Sequence, residues 1–237
     1  MTTPRVLVVE HQADCPPALL GDWLTEAGCA LSVVRPYEGD ALPEPTPYDA
    51  VLVLGGSGSA ADHERLPVVD LVRRAADREV PTLGVCLGHQ ICALALGGEV
   101  GPSPHGQYVG VYELGLTERG PHHGPVPALD DGVPRRAVFW NDDLVTRLPD
   151  GAEVLASDCF GEVQAAAFAP TVWGVQWHPE IADGVPRSWA EEDVVRQTAR
   201  GVDQERVLRE VADAREELVS AERALAVRLA ALAGVPA

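Results

Sequence analysis

The chain has 237 residues, 46% of them hydrophobic and 23% charged. These are the proportions of a globular protein, and they exclude a disordered, collagen-like or low-complexity chain. Eighteen basic residues against 36 acidic ones leave a net charge of −18, which repels phosphate backbones and anionic lipid and argues against nucleic-acid and membrane partners.

Every strong base is an arginine. Without lysine there is no Schiff-base or pyridoxal-phosphate chemistry and no P-loop lysine for a nucleoside triphosphate. The absence itself reads as biased codon usage. The five cysteines, Cys15, Cys29, Cys86, Cys92 and Cys159, are odd in number, scattered and without CxxC spacing, so neither a disulfide framework nor a zinc site is expected. No apolar run reaches the ~20 residues of a membrane helix. The stretch Val6 to Val9 stops at Glu10, too short for a signal-peptide core. A soluble cytoplasmic protein with reduced thiols is expected.

In chain order, Arg5–Val9 is an apolar β-rich run, and Pro17 to Ala27 places Leu19, Leu20, Trp23 and Leu24 at helical spacing. Leu31–Val34, Ala50–Leu54 and Thr82–Cys86 are further apolar runs, with a helical pattern from Val68 to Ala76 before the last. Strands apolar throughout, separated by helices, predict a doubly wound α/β fold with a mostly parallel, flavodoxin-like sheet, whose ligands gather beyond the carboxyl ends of the strands. The second half is denser in strands: Val109–Leu116, Ala137–Trp140, Val154–Ser157, Val163–Phe168 and Val172–Trp177. Their close spacing predicts hairpins and an antiparallel extension of the sheet. Pro102 to Gly106 and Pro121 to Pro127 read as loops. From Trp189 the composition shifts, and Val207, Val211, Ala214, Leu218, Ala221, Leu225, Leu229 and Leu232 recur at steps of three and four. This predicts a long amphipathic helix ending near Gly234 and Pro236. Residues 1–188 therefore form the domain and 189–237 a helical extension packed on it, with a homodimer through that helix as the alternative use of the stripe.

The chemistry centres on Gly84-Val85-Cys86-Leu87-Gly88-His89-Gln90. A buried strand runs into a helical pattern with a cysteine at the junction and glycines on both sides, the pattern of a nucleophile elbow. A helix N-terminus favours the thiolate form of a cysteine placed there. The Leu87 N–H is free for a developing oxyanion. Val175-Gln-Trp-His-Pro-Glu180 supplies a base. Pro179 keeps His178 extended, so His178 and Glu180 point to the same side and the carboxylate can hold the imidazole in one tautomer. The Leu54-Gly55-Gly56-Ser57-Gly58-Ser59 loop ends a strand on the same sheet edge and offers backbone N–H groups to an oxyanion or a small polar substrate.

These three elements, in this order, resemble the class I, triad-type glutamine amidotransferases, and among them stand-alone bacterial members related to the amidotransferase domain of GMP synthase. The resemblance covers roughly residues 5 to 182. It implies that Cys86 attacks the side-chain amide of glutamine, that His178, oriented by Glu180, moves the protons, and that the Gly56 and Leu87 amides form the oxyanion hole. Gly58 and Gln90 would hold the glutamine, with Asn141, Asp142 and Asp143 near its α-amino and α-carboxylate groups. No cofactor or metal is implied. Two positions depart from the pattern: Asn141 stands where relatives commonly have histidine, and Ser57 where they have proline. Asp142 adds a carboxylate that could repel the substrate's own, or could equally be a solvated turn residue with Asp143. Three functions follow: a glutaminase handing ammonia to a separate acceptor enzyme, a hydrolase of γ-glutamyl amides or peptides, or a non-catalytic interaction or regulatory module.

Overall fold

Alternation within four short apolar strands sets the architecture. In the computed structural model, which describes residues 2–62, 65–118, 123–126, 135–181 and 184–236, β1 (Arg5–Val9) turns Val6 and Val8 toward Leu20, Trp23 and Leu24 of α1 (Ala18–Glu26). Leu7 and Val9 face the other way, into Val68, Leu71 and Val72 of α2 (Leu66–Asp77). A strand covered on both faces has no position for a polar side chain, which is why these runs are apolar throughout. β2 (Ala30–Val34) and β3 (Ala50–Val53) flank β1 in parallel, β4 (Thr82–Val85) pairs with β3, and β11 (Val172–Val175) pairs with β4, again in parallel.

Beyond β11 the sheet continues antiparallel through β10 (Val163–Ala169), β9 (Glu153–Ser157), β6 (Tyr108–Leu116) and β7 (Arg135–Asn141). The fold is thus doubly wound, a mixed sheet with the parallel core and the antiparallel extension that the sequence predicts. α3 (Leu87–Ala95) packs beside α2 on the same face of the sheet.

Two strands escape the sequence reading. β5 (Glu99–Pro102) and β8 (Asp143–Arg147) pair with each other, and β8 also pairs with β10. Pro102 therefore closes a strand instead of opening a loop, a position where a missing N–H costs little. Asp143 begins a strand and is no solvated turn residue. Neither segment carries an alternating apolar pattern, so long-range pairing makes them strands. The run from Val172 stops being a strand at Val175, where the chain leaves the sheet. Of the expected loop 121–127, residues 121, 122 and 127 lie outside the described residues, and 123–126 form a turn.

Two short helices, α4 (Val185–Glu192) and α5 (Val194–Ala199), precede the long α6 (Gln204–Leu232). α6 is capped by the Asp203 carboxylate, which accepts from the Arg206 amide at 3.0 Å. Its 29 residues span roughly 43 Å at 1.5 Å per residue. Val207, Val211, Ala214, Leu218, Leu225 and Leu229 are buried against α1, β6 and β7 of the same chain, so most of the stripe packs on the domain itself. Leu232, counted on that stripe from the sequence, is exposed. Among the described residues no helix is long and apolar enough to cross a membrane.

One carboxylate sits inside the buried stripe. Glu222 is only 8% exposed, and burial, joined by the nearby Glu180 charge, raises its pKa to about 7. A carboxyl whose pKa is higher folded than unfolded binds its proton more tightly in the folded state. Its stabilising effect is complete below the unfolded value and is lost as pH rises through about 7. The loss is at most on the order of 3 kcal/mol. Glu222→Gln should accordingly be more stable than the parent at pH 8 and show little advantage at pH 5, measured by urea unfolding at both values.

Candidate active site

The carboxyl ends of β3, β4 and β11 meet at one edge of the sheet, and each extends into a segment of the site. β4 leads directly into Cys86, whose backbone has φ +50° and ψ −107°. Positive φ costs a side-chain-bearing residue energy and persists where the surroundings enforce it. Here the glycines enforce it. A Cβ on Gly84 would lie 2.3 Å from the Gly88 carbonyl oxygen, and one on Gly88 would lie 2.0 Å from that of Val53. Both positions admit only hydrogen, so α3 starts hard against β3 and β4, and Cys86 is turned out at the edge. The Leu87 amide, in the first turn of α3, has no intrahelical acceptor.

β4 and β11 run in register, Val85 opposite Val175, and the Cys86 amide donates to the Val175 carbonyl at 2.8 Å. This sets the chain after β11 beside the elbow. The His178 amide donates to the Val138 carbonyl at 2.8 Å, and the ring lies against Trp189, centroids 4.4 Å apart. His178 Nδ1 is 2.7 Å from Glu180 Oε1. A carboxylate only accepts, so Nδ1 carries a hydrogen and Nε2 is the nitrogen left to face the cleft. Both side chains are buried, at 5% and 1% exposure.

Nε2 makes no hydrogen bond among the described residues, and His178 and Cys86 line the same cleft. Gly55 lies between them: a Cβ there would come within 3.2 Å of His178 Cε1 and 3.6 Å of Cys86 Cβ. Burial alone would lower the imidazole's pKa. The charge interactions and hydrogen bonds with Cys86 and Glu180 outweigh it and raise the value to about 10.

Two clefts adjoin Cys86. The larger, of about 470 Å³, contains Gly56, Ser57, Gly58, Leu87, Gln90 and the segment 140–143. The structure therefore brings every sequence-proposed substrate residue to one cavity, but three differ in detail from the expectation. The Gln90 amide nitrogen is already engaged, donating to the Asp143 carbonyl at 2.8 Å and to Gln176 Oε1 at 3.1 Å. Asn141 donates to that same carbonyl at 2.9 Å, and its Oδ1 is buried without a partner among the described residues. Asp142 is not a bare carboxylate. Arg196 of α5 and Arg200 just after it hold it at 2.8 and 2.6 Å, which offsets the repulsion it would offer a substrate carboxylate. Burial, then the neighbouring Asp142, raises the pKa of Asp143.

The smaller cleft, of about 110 Å³, shares Gly56, Ser57, Cys86 and Trp140 with the larger one and adds Asp14, His178, Trp189 and Glu192. Four contributors were missed in the sequence. Gln176 donates toward the Cys86 sulfur at 3.6 Å. It sits two residues before His178, so the same extended-chain argument that paired His178 with Glu180 could have found it. Gln12 accepts from the Ser57 amide at 2.6 Å and fixes the glycine loop. Trp189 and Arg196 come from α4 and α5, and no local pattern in the sequence points to them.

The site thus sets a cysteine at a strained strand–helix junction beside a histidine–carboxylate pair, at one edge of a doubly wound sheet. Residues 19–192 match the family described as glutamine amidotransferase class-I, and the chain belongs to that family. It is 33% identical over 232 residues to the glutamine-hydrolysing GMP synthase of Aeropyrum pernix, an alignment covering 86% of this chain and 41% of that one. It thus spans less than half the length of that relative. It is 31% identical over 162 residues to one subunit of the glutamine-hydrolysing GMP synthase of Methanothrix thermoacetophila, covering 64% of this chain and 80% of that one. A glutamine amidotransferase from Thermotoga maritima shares the fold with a TM-score of 0.83 at 23% identity, over 97% of this chain and 99% of that one.

Proposed function

We propose that this chain hydrolyses the side-chain amide of glutamine and passes the ammonia to a separate acceptor enzyme. The observation that carries the reading is His178, with Nδ1 held by Glu180 and Nε2 left without a partner in the cleft shared with Cys86. In this mechanism the Cys86 sulfur, having given its proton to His178 Nε2, attacks the amide carbon. The tetrahedral oxyanion rests on the Gly56 and Leu87 amides. His178 then gives its proton to the leaving nitrogen, the C–N bond breaks, and ammonia departs from a γ-glutamyl thioester. Water, deprotonated by the same nitrogen, attacks the thioester and returns the thiol and glutamate. Gly58, Gln90 and the segment from Asn141 to Asp143 hold the amino-acid end, with the unpartnered Asn141 Oδ1 an acceptor for the α-ammonium group. A separate acceptor is supported by the Methanothrix relative, which is one subunit of its GMP synthase.

The test is release of glutamate and ammonia from glutamine, with and without a candidate synthetase, together with labelling by a chloroketone analogue of glutamine. Stoichiometric label on Cys86 alone and glutamate release are expected. No label and no release under either condition would overturn the reading.

The second cleft favours one further reading. Space beside His178, walled by Trp140 and Trp189, can take a substituent on the leaving nitrogen, as in a γ-glutamyl amide of an organic amine. A kcat/KM higher for γ-glutamyl amines than for glutamine would decide for that substrate.

A further inference from the structure

α6 lies outside the 19–192 segment matched by the family, yet one of its side chains reaches the back of the Cys86–His178–Glu180 group. Glu222 accepts the indole N–H of Trp177 at 3.1 Å. Trp177 is 1% exposed and directly precedes His178. Glu222 and His178 also line one small cavity of about 20 Å³, together with Trp23 of α1 and Val138 of β7. The charged groups facing Glu222 come from three elements: Glu180 from the segment after β11, Arg135 at the start of β7, and Arg215 of α6 on the shared cavity. α1 presents only the uncharged Trp23 there.

We propose that Glu222 is a positioning residue, through which α6 sets the orientation and the protonation of His178. The proposal rests on the reading of Cys86, His178 and Glu180 as the working relay. Two contacts do the work. The bond to Trp177 fixes the residue next to the imidazole, and the carboxylate adds a second negative charge behind Glu180 that favours the imidazolium. Because burial raises the Glu222 pKa to about 7, that second charge is absent in acid and develops as the pH passes neutrality.

The experiment compares the parent with Glu222→Gln, which keeps an acceptor for Trp177 and removes the charge, and with Glu222→Leu, which removes both. Glu210→Gln, an exposed charge change on the same helix, is the control. Two pH profiles are read: kcat/KM for glutamine, and the rate at which iodoacetamide alkylates Cys86, which needs no substrate. The parent should show an inflection near neutrality in both. Glu222→Gln should lose it, and its upper limb should move down by roughly half a pH unit or more. Glu222→Leu should in addition lose several-fold in kcat that the Gln variant retains, with KM little changed. If the alkylation profiles shift in this way while the parent releases no glutamate, the coupling stands and the hydrolytic reading falls. If Glu222→Gln and Glu222→Leu both keep the parent's profiles, Glu222 is a packing residue only and the proposal is overturned.

Discussion

Cys86→Ala should lower glutamine hydrolysis by on the order of 10⁴-fold or more, with the fold unchanged. The reason is that the remaining parts act only around a nucleophile. His178 has no thiol proton to take, and the Gly56 and Leu87 amides have no tetrahedral oxyanion to hold. Binding should survive, since the cleft walls from Ser57 to Gly58 and from Asn141 to Asp143 are untouched; glutamine affinity by calorimetry should stay within a few-fold of the parent. A second consequence concerns stability. Position 86 has φ +50°, which alanine finds as strained as cysteine does and glycine does not. Cys86→Gly should therefore be more stable than Cys86→Ala by roughly 1 kcal/mol or more. Equal midpoints for the two in urea would show that the elbow is unstrained.

Gly88→Ala should disrupt the protein more than any surface change. Its Cβ would stand 2.0 Å from the Val53 carbonyl oxygen and 2.7 Å from the carbon. Both are backbone atoms of a buried strand and cannot swing aside as a side-chain tip can. The start of α3 would have to lift off β3, taking the Leu87 amide and Cys86 with it and opening a gap in the core. A loss of roughly 3 to 5 kcal/mol is expected from overpacking of this severity, and the molecules that do fold should hydrolyse poorly. Gly101→Ala is the control, since its Cβ would meet only Thr146 Cγ2 at an ordinary 3.6 Å. A urea midpoint for Gly88→Ala equal to that of Gly101→Ala would contradict the close-packing account of the elbow.

The local parts of this protein are written in local sequence. Runs such as Val6 to Val9 and Val51 to Leu54 are apolar at every position because both faces of those strands are covered, so they signal a parallel core without any knowledge of partners. The glycines around Cys86 and the proline after His178 act on their immediate neighbours through sterics, and their effects could be read in advance. β5 and β8 could not, because what makes Glu99–Pro102 and Asp143–Arg147 strands is each other, some 45 residues away in the chain.

Tertiary structure alone settled the surroundings of the cysteine. Only the pairing of β11 beside β4 sets Gln176 and His178 next to position 86. Only the docking of α4 and α5 brings Trp189 and Arg196 to the cleft and converts Asp142 from a bare charge into a paired one. Glu222 breaks the apolar rhythm of α6 and would pass in sequence for a solvated position; the reason it is there lies in Trp177, 45 residues earlier. Sequence thus determined what depends on backbone sterics and on burial of a repeating face. Packing decided what depends on the meeting of side chains whose separation along the chain carries no periodic mark.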